Sequence, residues 1–363
     1  MQYLSRPELL HVMHTCKALY ELGIPPLLRT VKYKDFGPPC NNFYCHFLPP
    51  DSTRFTHVTH LECHVMGIST SLHSNFIRLS TRTEDLKIKA SRSSSITSDD
   101  VNQIARLSCL RHLRLVGQLP VVEILQGLTV PLTSLSINTL SIPCSGSLSA
   151  RSLCDPISSI KHLSGSLEEF RFDLHTCADV RVAFTAGYSF PAMRKVEWSA
   201  WHPIDIGAVA STFPNLDSLS IVFYGAGDDY LRHYRAPPPL SLAQMAVIRE
   251  QSEGVRQWDV SHRFQYLKGS VNTLWTLGIR CQAKLLDIYV TNQEISEAHI
   301  RELLADAQPV HLRLSLSSDF SDGFDTLPGH VLAYDTVEDL ELKFSVVEFQ
   351  LEMMAAKLVR LFC

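Results

Sequence analysis

Seven side chains with metal-binding chemistry crowd into one short stretch: Cys40, Cys45, His46, His57, His60, Cys63 and His64. A structural zinc site takes four sulfur or nitrogen ligands, usually as two closely spaced pairs. Cys40 with Cys45 and His57 with His60 can be written in that shape, but the cysteines lack the tight spacing of a zinc knuckle. Cys63 follows Leu61 by two, so on a strand both side chains point to the same side and the thiol belongs to a core. No metal is expected. Asp319, Asp322 and Asp325 around Gly323 lack the alternate carboxylates that a calcium loop places before its glycine, and read as an Asp-Gly turn.

Covalent and acid–base chemistry leave no signature either. There is no Gly-x-Ser-x-Gly elbow, no phosphate-cradling glycine loop and no His-Glu-x-x-His pair, and the 16 histidines are scattered. A lone histidine on a strand is more often structural than catalytic. The chain is therefore not expected to be an enzyme, and no cofactor is expected. An enzyme on an unrecognised α/β fold stays open as an alternative, to be marked by a deep pocket with converging ionisable groups.

Composition narrows the classes further. The chain has 363 residues, 45% of them apolar, with 33 basic against 37 acidic side chains and a net charge of −4. No long run of Lys and Arg occurs, so nucleic acid is not an expected partner. No stretch approaches the roughly 20 apolar residues that span a bilayer, so no membrane is expected. Arg6, Glu8, His11 and His14 interrupt the N-terminus in a way unlike a signal peptide. Ten cysteines without a Cys-x-x-Cys pair read as reduced thiols of a cytoplasmic or nuclear protein.

What must position any functional side chain is a repeated short strand. An apolar residue, two variable ones and two apolar residues separated by one recur as Leu110/Leu113/Leu115, Leu132/Leu135/Ile137 and Leu167/Phe170/Phe172. They recur again as Met193/Val196/Trp198, Leu216/Leu219/Ile221 and Val337/Leu340/Leu342. Looser copies lie at 58–63, 83–88, 274–279, 285–290 and 310–316. The copies from 58 to 216 begin at 58, 83, 110, 132, 167, 193 and 216, in steps of 22 to 35 residues. Leucine-rich repeats have this spacing and a period of roughly 20–29 residues.

Between the strands lie helix signals. Thr97 with Asp100 three places on forms a capping box ahead of Val101, Ile104, Ala105 and Leu107. Asp155 before Pro156 caps a helix that Gly165 stops, Ser296 precedes an apolar stripe at 300–307, and 120–125 and 206–213 behave likewise. Residues 224–240 read as a long loop insertion, 241–268 as a helix followed by an unassigned stretch, and 91–95 as a polar interruption. The predicted fold class is α/β: a leucine-rich-repeat-like solenoid with parallel strands on one face and helices on the other, over 36–363. An ordinary α/β domain with leucine-rich strands is the alternative, since the spacings drift and the usual asparagine is missing.

Residues 1–35 form a separate segment. An apolar helix is predicted over 8–22, carrying Leu9, Leu10, Val12, Met13, Cys16, Leu19 and Tyr20, with Gly23 as its C-terminal cap. Pro25 and Pro26 then restart a short segment over 27–31. This order of apolar helix, Cys16-Lys17 pair and final apolar segment resembles the second half of an F-box. The units that follow resemble the irregular repeats of the F-box/leucine-rich-repeat family. The resemblance covers about 27 residues of the N-terminus and rests on apolar pattern, not on invariant chemistry.

The resemblance implies a substrate-recognition subunit of a cullin–RING ubiquitin ligase of the Skp–cullin–F-box type. The F-box would grip a Skp-type adaptor protein, and the repeats would hold a protein client of unknown identity. By the family's pattern, Leu9, Leu10, Met13 and Cys16 would share adaptor contact and packing, and Leu27 and Leu28 would dock the last helix. The Leu-Pro-x-Glu opening of an F-box does not occur in this sequence, so the F-box is expected to be N-terminally incomplete. Weak adaptor binding is expected without that opening and tight binding with it. If the six apolar residues are instead only the cap of the first repeat, the chain is a repeat scaffold without a ligase link. On either reading the outward strand positions form the client face: His112, Arg114, Ser134, Ser136, Glu169 and Arg171, then Lys195, Glu197, Ser218, Ser220, Asp339, Glu341 and Lys343. Mixed charge with serines suits a protein client.

Overall fold

The computed structural model describes residues 4–34, 52–65, 77–91, 96–138, 156–173, 187–200, 204–223, 240–253, 258, 262–290, 297–317 and 337–345. The chain divides into two compact units. The first comprises Met1–Leu153 with Ser159–Arg171, the second Cys154–Ser158 with Phe172–Cys363.

In the first unit, β1 (Thr30–Lys34), β2 (His60–Val65), β3 (Asp85–Ala90), β4 (His112–Gly117) and β5 (Ser134–Asn138) pair in chain order, all parallel. The register explains the repeated spacing. Val31, Leu61, Leu86, Leu113 and Leu135 align in one inward row, and Cys63, Ile88, Leu115 and Ile137 in the next. Every one of these side chains is at most 2% exposed. Residues between them alternate outward, as strand geometry requires.

A backbone device joins each strand start to the next. The carbonyl of Arg29 accepts from the N–H groups of both Thr59 and His60, and Thr59 does the same for Glu84 and Asp85. Glu84, Arg111 and Thr133 continue the series, the last to Glu168 and Glu169, where β6 (Glu169–Asp173) begins. The two variable positions of the sequence pattern are thus where strand starts are tied together. At the far end of β4, Gly117 has φ +96°, and a Cβ there would overlap the Ala90 carbonyl. Only glycine fits.

The second unit repeats the plan with β7 (Lys195–Ala200), β8 (Ser218–Phe223), β9 (Arg263–Ser270), β10 (Gln282–Val290), β11 (His311–Ser317) and β12 (Asp339–Ser345). They too are parallel neighbours in chain order. Val196, Leu219, Leu267, Leu286, Leu312 and Leu340 share one row. Phe172 and Trp198 pack with ring centroids 4.8 Å apart, so two aromatics replace leucines without breaking the layer.

Helices occupy the intervals. The predicted box at Thr97 caps α3 (Ser98–Ala105): its backbone N–H and hydroxyl both donate to Asp100 Oδ2, at 2.8 and 2.7 Å. α4 (Val121–Gly127), α5 (Pro156–Ile160), α6 (Ile206–Thr212) and α9 (Glu297–Ala307) fall where the apolar periodicity puts them. Asp205 caps α6 by accepting from the N–H groups of Gly207 and Ala208. α7 (Leu242–Glu253) is the helix that the sequence places at the start of 241–268.

Three expectations need correcting. The looser copy at 274–279 is not a strand: Val271–Leu277 is helix α8, buried on all sides and ended by Gly278 at φ 58°. The strand of that repeat is β9, whose pattern Phe264/Leu267/Gly269 hides behind a glycine. A Cβ at Gly269 would lie 2.9 Å from Leu274 Cγ, so the strand sits tight under α8. The copy at 285–290 lies within β10 but starts two residues late, since the row its neighbours continue runs through Ala283, Leu286 and Ile288. At the N-terminus, the single helix over 8–22 is two: α1 (Arg6–Met13) and α2 (Lys17–Leu28). Gly23 caps nothing, Pro25 and Pro26 lie inside α2, and Thr30–Lys34 is strand.

Candidate functional site: the outward strand faces

In the first unit the outward row of highest charge density runs Lys32, Glu62, Lys87, Arg114 and Ser136 across β1–β5. Glu62 is its hub. Lys87 Nζ lies 2.8 Å from its carboxylate, His64 Nε2 3.0 Å, Lys89 Nζ 3.1 Å and Lys32 Nζ 3.7 Å. Burial alone would raise the Glu62 pKa, but hydrogen bonds from Lys87, His64 and Lys89 outweigh it and hold the carboxyl far below its ordinary value. The next positions along, His112, Arg114, Ser134 and Ser136, are exposed or half-buried as predicted, and so are Glu169 and Arg171. Arg114 has no ion-pair partner among the described residues.

The second unit's outward face is paired within itself. Asp287, 4% exposed although it lies on the outward row, accepts from Tyr266 Oη at 2.9 Å and lies 3.6 Å from Arg313 Nη1. Burial, together with the bond to Asp287, pushes the Tyr266 phenol above its ordinary value. Arg313 also holds Glu341 at 2.7 Å, with Lys343 3.7 Å from the same side chain. His311 meets Asp339 at 2.8 Å, Lys195 meets Glu197 at 2.9 Å, and Lys268 stands 4.8 Å from the Tyr289 ring centroid. Ser218 and Ser220 complete the face, half-buried. The predicted positions therefore fall on one face in each unit.

Sequence reasoning missed the most strongly coupled members: Glu62, Lys87, Lys89, Tyr266, Lys268, Asp287 and Arg313. Most were findable. The looser copies at 58–63, 83–88 and 310–316 put Glu62, Lys87 and Arg313 in the same outward slot as Arg114 and Ser136. Tyr266 and Lys268 were hidden with the strand that carries them.

The N-terminal helices turn their apolar residues mostly inward. Leu9, Met13 and Leu27 are each 3% exposed and Leu28 is fully buried, while Leu10 is half-buried and Cys16 exposed. Met13 packs against Gly23, which ties α1 to α2. Leu22 stands out, 65% exposed. With Pro25, Pro26, Arg29, Arg82, Glu84 and Cys109 it lines an open groove of about 730 Å³ at the strand starts. His57 lines it too, but among the described residues no hydrogen bond joins His57 or Glu84 to the exposed Cys109 thiol.

Of the metal-like cluster, Cys40, Cys45 and His46 lie outside the described residues. His57 and His60 are half-buried, His64 is engaged with Glu62, and Cys63 is a core thiol that burial pushes up to about 12. Among the described residues no three His, Cys, Asp or Glu side chains stand together as a metal site. Nor is any helix among them long and apolar enough to cross a membrane. The segments 224–239 and 319–325, read as loop and turn, also lie outside the described residues. Comparison with protein-family models gives no match, and comparison with curated proteins finds no similar sequence.

Proposed function

We propose that this chain is an interaction protein, the client-recognition subunit of a cullin–RING ubiquitin ligase. Its leucine-rich-repeat-like solenoid would hold a protein client on the outward strand faces, and α1 and α2 would meet a Skp-type adaptor. The observation that carries the reading is the in-register ladder. Parallel strands in chain order set polar and charged side chains at most outward positions of each unit's strand face, such as Glu62, Lys87, Arg114 and Ser136 in the first. Such a surface suits recognition of another macromolecule. The ligase link rests on the apolar helix pair directly before β1 and on its resemblance to the second half of an F-box.

Co-expression with a Skp-type adaptor and co-purification test the link. The chain as it stands should retain little adaptor, because Leu9, Met13, Leu27 and Leu28 are engaged in its own core. The same chain preceded by an F-box opening helix should retain it in equal amount. If neither form binds, the ligase role falls and the scaffold reading takes its place.

A further inference from the structure

We propose that the outward face over β2–β4 is specific for an acidic peptide segment of the client, gripped by Lys87, Lys89 and Arg114. This rests on the reading that the strand faces carry the client, and it names the chemistry that one of them selects. Two lysines and His64 share one carboxylate, that of Glu62, which can neutralise a single charge. Arg114 stands next to Lys87 in the register and has no carboxylate partner among the described residues. With Asp85 at the start of β3 counted beside Glu62, Lys87, Lys89 and Arg114 still outnumber the carboxylates of β2–β4, on a chain whose net charge is −4.

The second unit provides the contrast. There Lys195, Arg313, Lys343 and His311 each have a carboxylate within 4.0 Å, and the outward Lys268 is taken up by the Tyr289 ring at 4.8 Å. Glu62 already shows what the first face binds. Around it Lys87 and Lys89 stand 2.8 and 3.1 Å from one carboxylate oxygen, and each ammonium keeps further donors for an incoming carboxylate. Arg114, one strand over at about 4.8 Å, adds a planar fork that takes a carboxylate through two bonds. Charge complementarity of this kind selects a partner more than it adds raw affinity. The cationic stretch spans only β2–β4, too short a track for a nucleic-acid backbone, which needs a longer run of phosphate contacts.

A fluorescein-labelled peptide rich in Asp and Glu, and its Asn/Gln counterpart, are titrated against the full chain by fluorescence anisotropy. The acidic peptide should bind about tenfold more tightly or better, and Lys87→Glu with Arg114→Glu should abolish the preference. Arg106→Glu, which reverses an exposed cation at the C-terminus of α3, should leave binding within about twofold. If the double reversal unfolds the chain by circular dichroism, Lys87→Gln with Arg114→Gln takes its place. Equal affinity for both peptides, an equal loss with Arg106→Glu, binding only after phosphorylation, or displacement by a single-stranded oligonucleotide at matching affinity would each overturn the proposal. The F-box-extended chain, tested with the adaptor in parallel, separates the two readings. Adaptor bound without acidic selectivity overturns this inference alone, and loss of both overturns the receptor role as well.

Discussion

Glu62 is the residue whose chemistry is most constrained, one carboxylate held by three amines and an imidazole. Its folded pKa is depressed, so its contribution to stability is present above the ordinary value of 4.5 and is lost as pH falls below that value. Glu62→Gln should therefore lower the Tm most at about pH 7, and the gap from the unsubstituted protein should shrink towards about pH 3. Thermal unfolding followed across that range checks the sign. A gap independent of pH would mean that Glu62 contributes packing alone. At this scale the sequence was readable where alternation decides the matter. Cys63 falls inward two residues after Leu61 and is fully buried, while Arg114 and Ser136 fall outward. It was not readable for Asp287, whose burial on an outward row is the work of neighbours on other strands such as Tyr266 and Arg313.

Elements were legible in proportion to the purity of their pattern. The strands at 112–117, 134–138, 169–173, 195–200 and 218–223 all follow from leucine spacing, because one row of inward side chains is continued from strand to strand. β9 was lost when glycine took an inward position under α8. α8 itself was misread because residues 271–279 are all buried, so its polar Asn272, Thr273 and Thr276 mark no outer face. Pro25 and Pro26 suggested a stop, yet α2 runs through them. The carbonyls they leave without donors belong to Glu21 and Leu22, both exposed, where water can serve them. The same packing logic gives a quantitative expectation. Leu135, 1% exposed in the middle of an inward row, should cost about 2–5 kcal/mol when replaced by alanine. Urea unfolding measures it, and a cost below about 1 kcal/mol would contradict a continuous packed layer.

For the whole molecule, the proposed function puts two jobs in two places: adaptor binding at residues 6–28 and client binding on the outward strand rows. A stable adaptor interface would bury about 1,200–2,000 Å². The apolar residues still accessible on α1 and α2, chiefly Leu22 and half-buried Leu10, supply only part of that. This is the physical reason to expect tight binding only when an F-box opening helix adds its own area. The sequence made the helical character of this segment legible but neither the break between α1 and α2 nor the inward turn, since Leu9, Met13, Leu27 and Leu28 suit a partner's groove and a repeat core equally well. The most direct measurement is hydrogen–deuterium exchange of the extended chain with and without a Skp-type adaptor. Exchange should slow in peptides covering 6–28 and stay unchanged in those covering β2–β5 and β8–β12. Slowed exchange along the strand rows, or no change anywhere, would contradict the proposed function.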